Sequence, residues 1–273
     1  MKDIKPGVYQ ELSNADYHAS SAMGSSKLNM FANNESSIEW AAKCPVDEEK
    51  LKTLDFGSCM HTIALEPEKF HTEFLVMPEF NGRSNAGKEE KKVWLAEHDN
   101  VKIVTTDEHK KLGLMFESLM ADPYARKLLT ADGIAEQSHF AVDKDTGVLC
   151  KCRPDRNIYN SPILVDLKTT DLISKFHYSI DDYGYYKQAP FYLDIYNEST
   201  GEEKDTFIFL VIQKTIELGR YPVRCITLPQ DVIDYGRREY KRNLEAYARA
   251  QELNQYKGIY EAEMSYNFMK RIN

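Results

Sequence analysis

The segment Cys152–Thr170, "CRPDRNIYNSPILVDLKTT", sets Asp155 just after a proline and Asp166 and Lys168 inside an apolar run. Side chains alternate across a strand, so Val165 and Leu167 turn to one face and Asp166 and Lys168 to the other. On "CKCRPD", Lys151, Arg153 and Asp155 share a parity opposite to Cys150 and Cys152. If the two strands pair, their polar faces merge into one patch holding Asp155, Asp166 and Lys168. Two close carboxylates repel unless positive charge sits between them. A divalent cation fills that role, and hard oxygen ligands favour Mg2+ or Mn2+. An ammonium beside such an ion can orient or polarise a water, which is the equipment for metal-assisted phosphodiester hydrolysis. Asp-x-Lys alone equally describes a surface salt bridge on a half-exposed strand. The preceding Pro-Asp, the ten residues between the aspartates and a strand meander to hold them favour the hydrolytic reading.

The elements that must position these residues follow from periodicity. "SSKLNMFA" predicts a helix capped by Ser25 or Ser26. "TLDFGSCMHTIALEPEKF" carries Phe56, Met60, Ile63 and Ala64 on one helical side and ends at Pro67. "FLVMPEF" predicts a short strand, and "GKEEKKVWLAEHD" and "DEHKKLGLMFESLMADPYARKLL" one amphipathic helix each. The period then changes to two: "AEQSHFAVD", "GVLCKCRPDRNIY" and "SPILVDLKTT" predict a three-strand meander, with "DKDTG" as a hairpin turn. A long helix over about Tyr178–Tyr196, strands at "TFIFLVIQK" and "RYPVRCITL", and a helix at "QDVIDYGRREYKRNLEAYARAQEL" complete the chain. The expected fold is α/β or α+β around a mixed sheet. The chain reads as one domain, with a helical N-terminal region over residues 1–130, a core over 131–228 and a C-terminal helix over 229–255.

"PD", ten residues, then "DLK", together with the order of elements, resembles the PD-(D/E)-x-K nuclease superfamily. "GSCMHTIALEPE" is similar to the histidine-bearing helix of its RecB-like branch, and "YYKQAPFYLDIY" to that branch's Gln-x-x-x-Tyr helix. "PEFNGRSNAGKEE", "CKCRPD", "DLKTT" and "ELGRYPV" resemble segments of RecE-type exonuclease domains. The resemblance implies a restriction-endonuclease-like core and a Mg2+-dependent exonuclease that digests the 5′-ended strand of duplex DNA. It also implies a 3′ overhang for a RecT-like single-strand annealing partner in recombination, and a ring-shaped homotetramer. Carried over by position, it makes His61, Asp155, Asp166 and the carbonyl of Leu167 metal ligands and Lys168 the catalytic lysine. Glu136 matches a further acidic residue, and Gln188 and Tyr192 would hold DNA or the lysine near the metal. Pro190 departs from the pattern, since it removes a backbone donor inside that helix. His61 and Tyr192 also suit plain core positions, and Glu136 a surface charge.

The 273 residues are 42% hydrophobic, enough for a sizeable core. No apolar run is long enough to span a membrane, and the N-terminus carries no apolar signal region, so a cytoplasmic protein is expected. Five cysteines without C-x-x-C read as reduced thiols. A net charge of −8 excludes a general nucleic-acid coat but not a local basic groove. "GRSNAGKE" nearly spells a phosphate-binding loop, but Glu89 stands where a Ser or Thr hydroxyl is needed. Nucleotide hydrolysis is rejected. Arg83 and Lys88 remain candidates for DNA backbone contact, as do Ser25 and Lys27 at a helix start. Arg237, Arg238, Lys241 and Arg242 either line a phosphate groove or pair with acids. The competing functions are an endonuclease or repair nuclease on the same scaffold, and an end-binding protein with a vestigial centre.

Overall fold

A computed structural model describes residues 4–45, 56–98, 101–262, 264 and 268–270. The strands are β1 (Gly7–Tyr9), β2 (Phe74–Met77), β3 (Lys102–Thr105), β4 (Gly133–Ala135), β5 (Ser138–Val142), β6 (Leu149–Cys152), β7 (Arg156–Ile158), β8 (Ile163–Thr170), β9 (Thr206–Gln213) and β10 (Val223–Ile226). The helices are α1 (Asn14–Ala19), α2 (Ser25–Asn33), α3 (Ser37–Lys43), α4 (Phe56–Leu65), α5 (Phe70–Glu73), α6 (Asn85–Glu97), α7 (Thr106–Ala121), α8 (Pro123–Thr130), α9 (Phe176–Asp182), α10 (Tyr185–Thr200) and α11 (Gln230–Leu253). Thr53 to Asp55, at the start of the histidine-bearing segment, lie outside the described residues.

The main sheet runs β10-β9-β8-β7-β4. β8 and β9 pair in parallel and the other neighbours antiparallel, so the sheet is mixed as expected. Alternation on β8 divides the interior in two. Val165 and Leu167 join a core with α4, α7 and α8, while Leu164 joins the core of α2, α10 and α11. Asp166 and Lys168 therefore face the α10 side, as period two requires.

The meander is not three continuous strands. β5 and β6 form a hairpin that joins β1 in a separate three-stranded sheet, and β7 and β4 belong to the main sheet. Two local causes break the strands. Glu136 has a left-handed φ of 51°, and Pro154 brings no backbone donor to the ladder. The bend between β6 and β7 is where Asp155 lies. The shared parity of Lys151 and Asp155 is consequently broken: Lys151 is buried, donating to the Tyr17 carbonyl and to Ser20 Oγ at 2.9 Å.

The helix expected over Tyr178–Tyr196 is two helices, α9 and α10, separated at Gly184, whose φ is 66°. The helix expected at "DEHKKL…KLL" is also two: Asp122 accepts from the amides of Tyr124 and Ala125 and starts α8 ahead of Pro123. Gly24, not Ser25 or Ser26, holds the cap position of α2. β1 and β3 are absent from the sequence expectation; each is too short for a period to declare itself. Helix α10 continues through Pro190. The carbonyl that Pro190 cannot bond is that of Tyr186, and it faces Gly236 of α11, where a Cβ would come within 1.9 Å of the oxygen. No helix among the described residues is long and apolar enough to cross a membrane.

Candidate active site

Six side chains, from α4, β8, α10 and the bends between β4 and β5 and between β6 and β7, meet where β6 bends into β7. Asp155 sits in the bend and is 8% exposed. Its Oδ2 accepts from the Leu167 amide at 2.5 Å and faces His61 Nε2 of α4 at 2.9 Å. The His61 Nδ1–H donates to the Gly57 carbonyl at 2.8 Å, which fixes the ring so that Nε2 points at the carboxylates. Asp166, 2% exposed, takes a hydrogen bond on Oδ1 from Gln188 Nε2 of α10 at 3.0 Å. The Lys168 ammonium stands 2.5 Å from Asp166 Oδ2. That oxygen has no directed hydrogen bond among the described residues. Glu136 is set by its left-handed backbone, with its amide bonded to the Asp155 carbonyl at 3.2 Å.

The electrostatics separate the two aspartates. Burial tends to raise Asp155, but His61, Lys168 and the Leu167 amide together hold it below the ordinary carboxylate range. Asp166 is pushed up to about 6, by burial first and with help from the charge of Asp155, against the pull of Lys168. Asp155 has the extra backbone donor and a cationic ring; Asp166 has an amide and one ammonium. Burial and then Asp155 push Glu136 up to about 8. Burial alone would lower His61, but Asp155 outweighs it and pushes the ring up to about 10. Burial likewise works against the charge of Lys168, and the two aspartates more than compensate, raising it. Opposed shifts of neighbouring carboxyls are a mark of functional sites.

A cleft of about 710 Å³ opens onto this cluster, lined by Ser13, Asn14, His61, Glu66, Glu136 and Arg153 among others. Arg153 pins its N-terminal wall, donating to Ser138 Oγ, Asn14 Oδ1 and the Leu12 carbonyl at 2.8, 2.8 and 2.9 Å.

Once binding displaces the proton from His61 Nε2, one imidazole nitrogen and three carboxylates make a donor set suited to a hard divalent cation. Asp166 Oδ2, buried and met only by the Lys168 ammonium among the described residues, has lone-pair capacity left that fits it. Among the described residues no three His, Cys, Asp or Glu already stand as a cation shell. His61 and Lys168 occupy carboxylate oxygens that a cation would share.

The other candidates lie apart from the cluster or close to it in different ways. Tyr192 is half-buried, its ring edge-on to Phe207 at 5.8 Å. The aromatic ring over Lys168 is that of Tyr185, at 4.8 Å, which the motif does not single out. Its spacing from Gln188, one helical turn, is the signal that would have found it. Arg83 and Lys88 are exposed about the start of α6. The near-phosphate loop is a helix start instead: Ser84 Oγ accepts from the Gly87 amide, and a Cβ on Gly87 would meet the Asn81 carbonyl at 2.2 Å. Of Arg237, Arg238, Lys241 and Arg242 on α11, three are paired: Arg237 with Asp194, Lys241 with Asp145 and Arg242 with Glu239. Ser25 is buried in the first turn of α2 and Lys27 half-buried beside it.

No functionally curated protein matches the sequence. Among solved structures, the "Putative exonuclease" of Eubacterium rectale superposes with a TM-score of 0.60 at 13% identity, covering 95% of this chain and 98% of that one. That likeness establishes a shared fold. An alkaline exonuclease from Laribacter hongkongensis matches at a TM-score of 0.30 and 13% identity, over 69% of this chain and 97% of its own, too distant in shape to inform the fold. Residues 24–259 match the family described as "PDDEXK-like domain of unknown function (DUF3799)", so the α/β core that gathers Asp155, Asp166 and Lys168 is a PD-(D/E)-x-K-like core, and the chain belongs to that family.

Proposed function

We propose that the protein is a divalent-metal-dependent nuclease that degrades duplex DNA from an end, digesting the 5′-ended strand. The observation that carries the reading is the gathering of Asp155, Asp166 and Lys168 behind His61 and Glu136, the two members of the cluster that line the cleft. His61, Asp155, Asp166 and the carbonyl of Leu167 would hold Mg2+, or Mn2+ in its place, with Glu136 beside them. When bound, the ion supplies Lewis acidity at the phosphate and a more acidic water. Lys168 holds positive charge at the attacked phosphate or orients the water. Gln188 fixes Asp166 through its Oδ1, and Leu167 fixes Asp155 through its amide.

A place for a substrate phosphate is supported at the start of α2. Gly24 offers no side-chain cap, so the first amides of the helix lack that acceptor. Lys151 Cε lies 3.6 Å from a Cβ position on Gly24 while its ammonium is held by the Tyr17 carbonyl and Ser20 Oγ, and burial with repulsion from Lys27 and Arg153 lowers the amine to about 8. A phosphate would relieve that repulsion. In this reading Ser25 and Lys27 bind the DNA backbone, and Arg83 and Lys88 make outer contacts.

The family resemblance extends the proposal to a homotetrameric ring around duplex DNA, and to a RecT-like annealing protein that receives the 3′ overhang. The test is degradation of 5′- and 3′-end-labelled linear duplex beside closed circles, with Mg2+ and then with EDTA. Loss of the 5′-ended strand alone, intact circles and silence in EDTA are expected. Cutting of closed circles would make the protein an endonuclease, and undiminished activity in EDTA would end the metal-dependent reading.

A further inference from the structure

We infer that Tyr185 is the positioning residue of Lys168, a π-face partner that keeps the ammonium in place when Asp166 is engaged elsewhere. The inference rests on the nuclease reading above.

The first turn of α10 carries two side chains toward the same ion pair. Gln188 binds Asp166 Oδ1, and Tyr185, one turn earlier, lays its ring 4.8 Å from Lys168 Nζ. Residues three apart share a helix face, so one rigid turn holds both members of the pair. The ring itself cannot swing. It stacks on Phe209 at 5.6 Å and 30°, on Phe176 at 5.8 Å and 29°, and lies beside Tyr183 at 5.7 Å. Phe209 is the register partner of Asp166 on the neighbouring strand, so the stack is built on the strand pair that carries the site. Gly184, with its φ of 66°, starts the helix at this point.

The arrangement answers a conflict in the site. Asp166 Oδ2 faces the Lys168 ammonium at 2.5 Å, and the same buried oxygen is the one that would be given to a cation. It cannot serve both fully. A lysine released from the carboxylate and given no other partner would sample its rotamers and lose its aim. An aromatic face attracts an ammonium through its quadrupole without neutralising or deprotonating it. Tyr185 therefore lets Lys168 yield the carboxylate and stay in place. The ring face does this, not the hydroxyl, and that separates the two informative substitutions.

The experiment uses the full chain and four variants: Tyr185→Leu, Tyr185→Phe, Lys168→Met and the double variant Tyr185→Leu/Lys168→Met. Cleavage of linear duplex at saturating Mg2+ is read as kcat and KM, and Mg2+ affinity without DNA by calorimetry. Tyr185→Leu is expected to lower kcat about tenfold with KM unchanged and to weaken Mg2+ binding severalfold, because the ammonium then competes fully for Asp166. Tyr185→Phe is expected to restore most of both losses. In the Lys168→Met background the effect of Tyr185→Leu on Mg2+ affinity should vanish, which a packing defect would not produce. Equal losses in the Leu and Phe variants, or an effect on Mg2+ affinity that survives Lys168→Met, would overturn the inference while leaving a cleaving wild type intact. A wild type that neither cleaves nor binds Mg2+ would overturn the nuclease reading and this inference with it.

Discussion

The amide of Leu167 donates to Asp155 Oδ2 across 2.5 Å, so the strand that carries Asp166 and Lys168 also clamps the earlier aspartate. Asp155 thus has two jobs, and substitutions separate them. Asp155→Ala leaves a buried amide without an acceptor, which costs about 1–3 kcal/mol. Asp155→Asn keeps an acceptor oxygen. Both should abolish cleavage, but urea unfolding should show the larger stability loss in Asp155→Ala. Equal stability of the two variants would mean the amide bond contributes nothing.

Asp166→Ala should abolish cleavage with the fold intact, read as an unchanged circular-dichroism spectrum beside a cleavage rate down by at least about a thousandfold, the scale for a group that holds charge at the reacting centre. Lys168→Met should lose most of the rate and still bind Mg2+, since the carboxylates remain. Collapse of metal affinity in Lys168→Met would make the lysine structural.

DNA affinity should report which basic residues face phosphate. Each phosphate contact contributes about one to the slope of log K against log salt. Lys27→Ala should reduce that slope by about 1. Arg242→Ala should leave it unchanged, because Arg242 is paired with Glu239 at 2.8 Å. A fluorescence titration at several salt concentrations distinguishes them.

Acid stability should depend on His139. The ring is fully buried, with Nδ1 2.9 Å from Ser199 Oγ, and burial lowers it to about 4. The folded value lies below the ordinary one, so its contribution is fully present above about pH 6.5 and is lost as pH falls through about 4. The shift corresponds to roughly 3 kcal/mol. Glu136 and Asp166, pushed up to about 8 and about 6, act with the opposite sign, their contributions being lost as pH rises through those values. The clean measurement is therefore a difference: the urea midpoint of the wild type should fall more steeply between about pH 6.5 and 4 than that of His139→Gln.

Gly236→Ala should destabilise by about 2 kcal/mol or more, the range for overpacking, because its Cβ would meet the Tyr186 carbonyl at 1.9 Å. Thermal unfolding checks it. The same substitution at Gly113, which has open space around it, should be neutral to stabilising.

The strands of strong period and the long C-terminal helix are legible because burial on one face writes itself into the residue pattern: β8, β9 and α11 have the extents their apolar spacing predicts. The breaks are harder to read. Gly184 and Glu136 are backbone decisions, and nothing in the spacing of their neighbours announces a left-handed φ. Pro154 is visible, but its effect, to send β6 and β7 into different sheets, depends on what each strand then pairs with. The site follows the same division. Asp155, Asp166 and Lys168 are legible from local spacing. The motif implies that Tyr192 holds DNA or the lysine near the metal; that the ring of Tyr185 lies over Lys168 is not legible, because which face of a helix meets a strand is settled by packing across the chain.

The parallel pairing of β8 with β9 has a kinetic consequence. The two strands are joined by a crossover that spans residues 171–205 and includes α9 and α10, so their contact closes a long loop and comes at high entropic cost. Lys168, Asp166 and the ring that holds the ammonium take up their relation only when that loop has closed. Helix α10 can gain its backbone bonds early, but an active centre cannot exist before the strands meet. On refolding from urea, recovery of cleavage should lag behind recovery of helical circular dichroism, and the lag should lengthen in variants that weaken the β8–β9 contact.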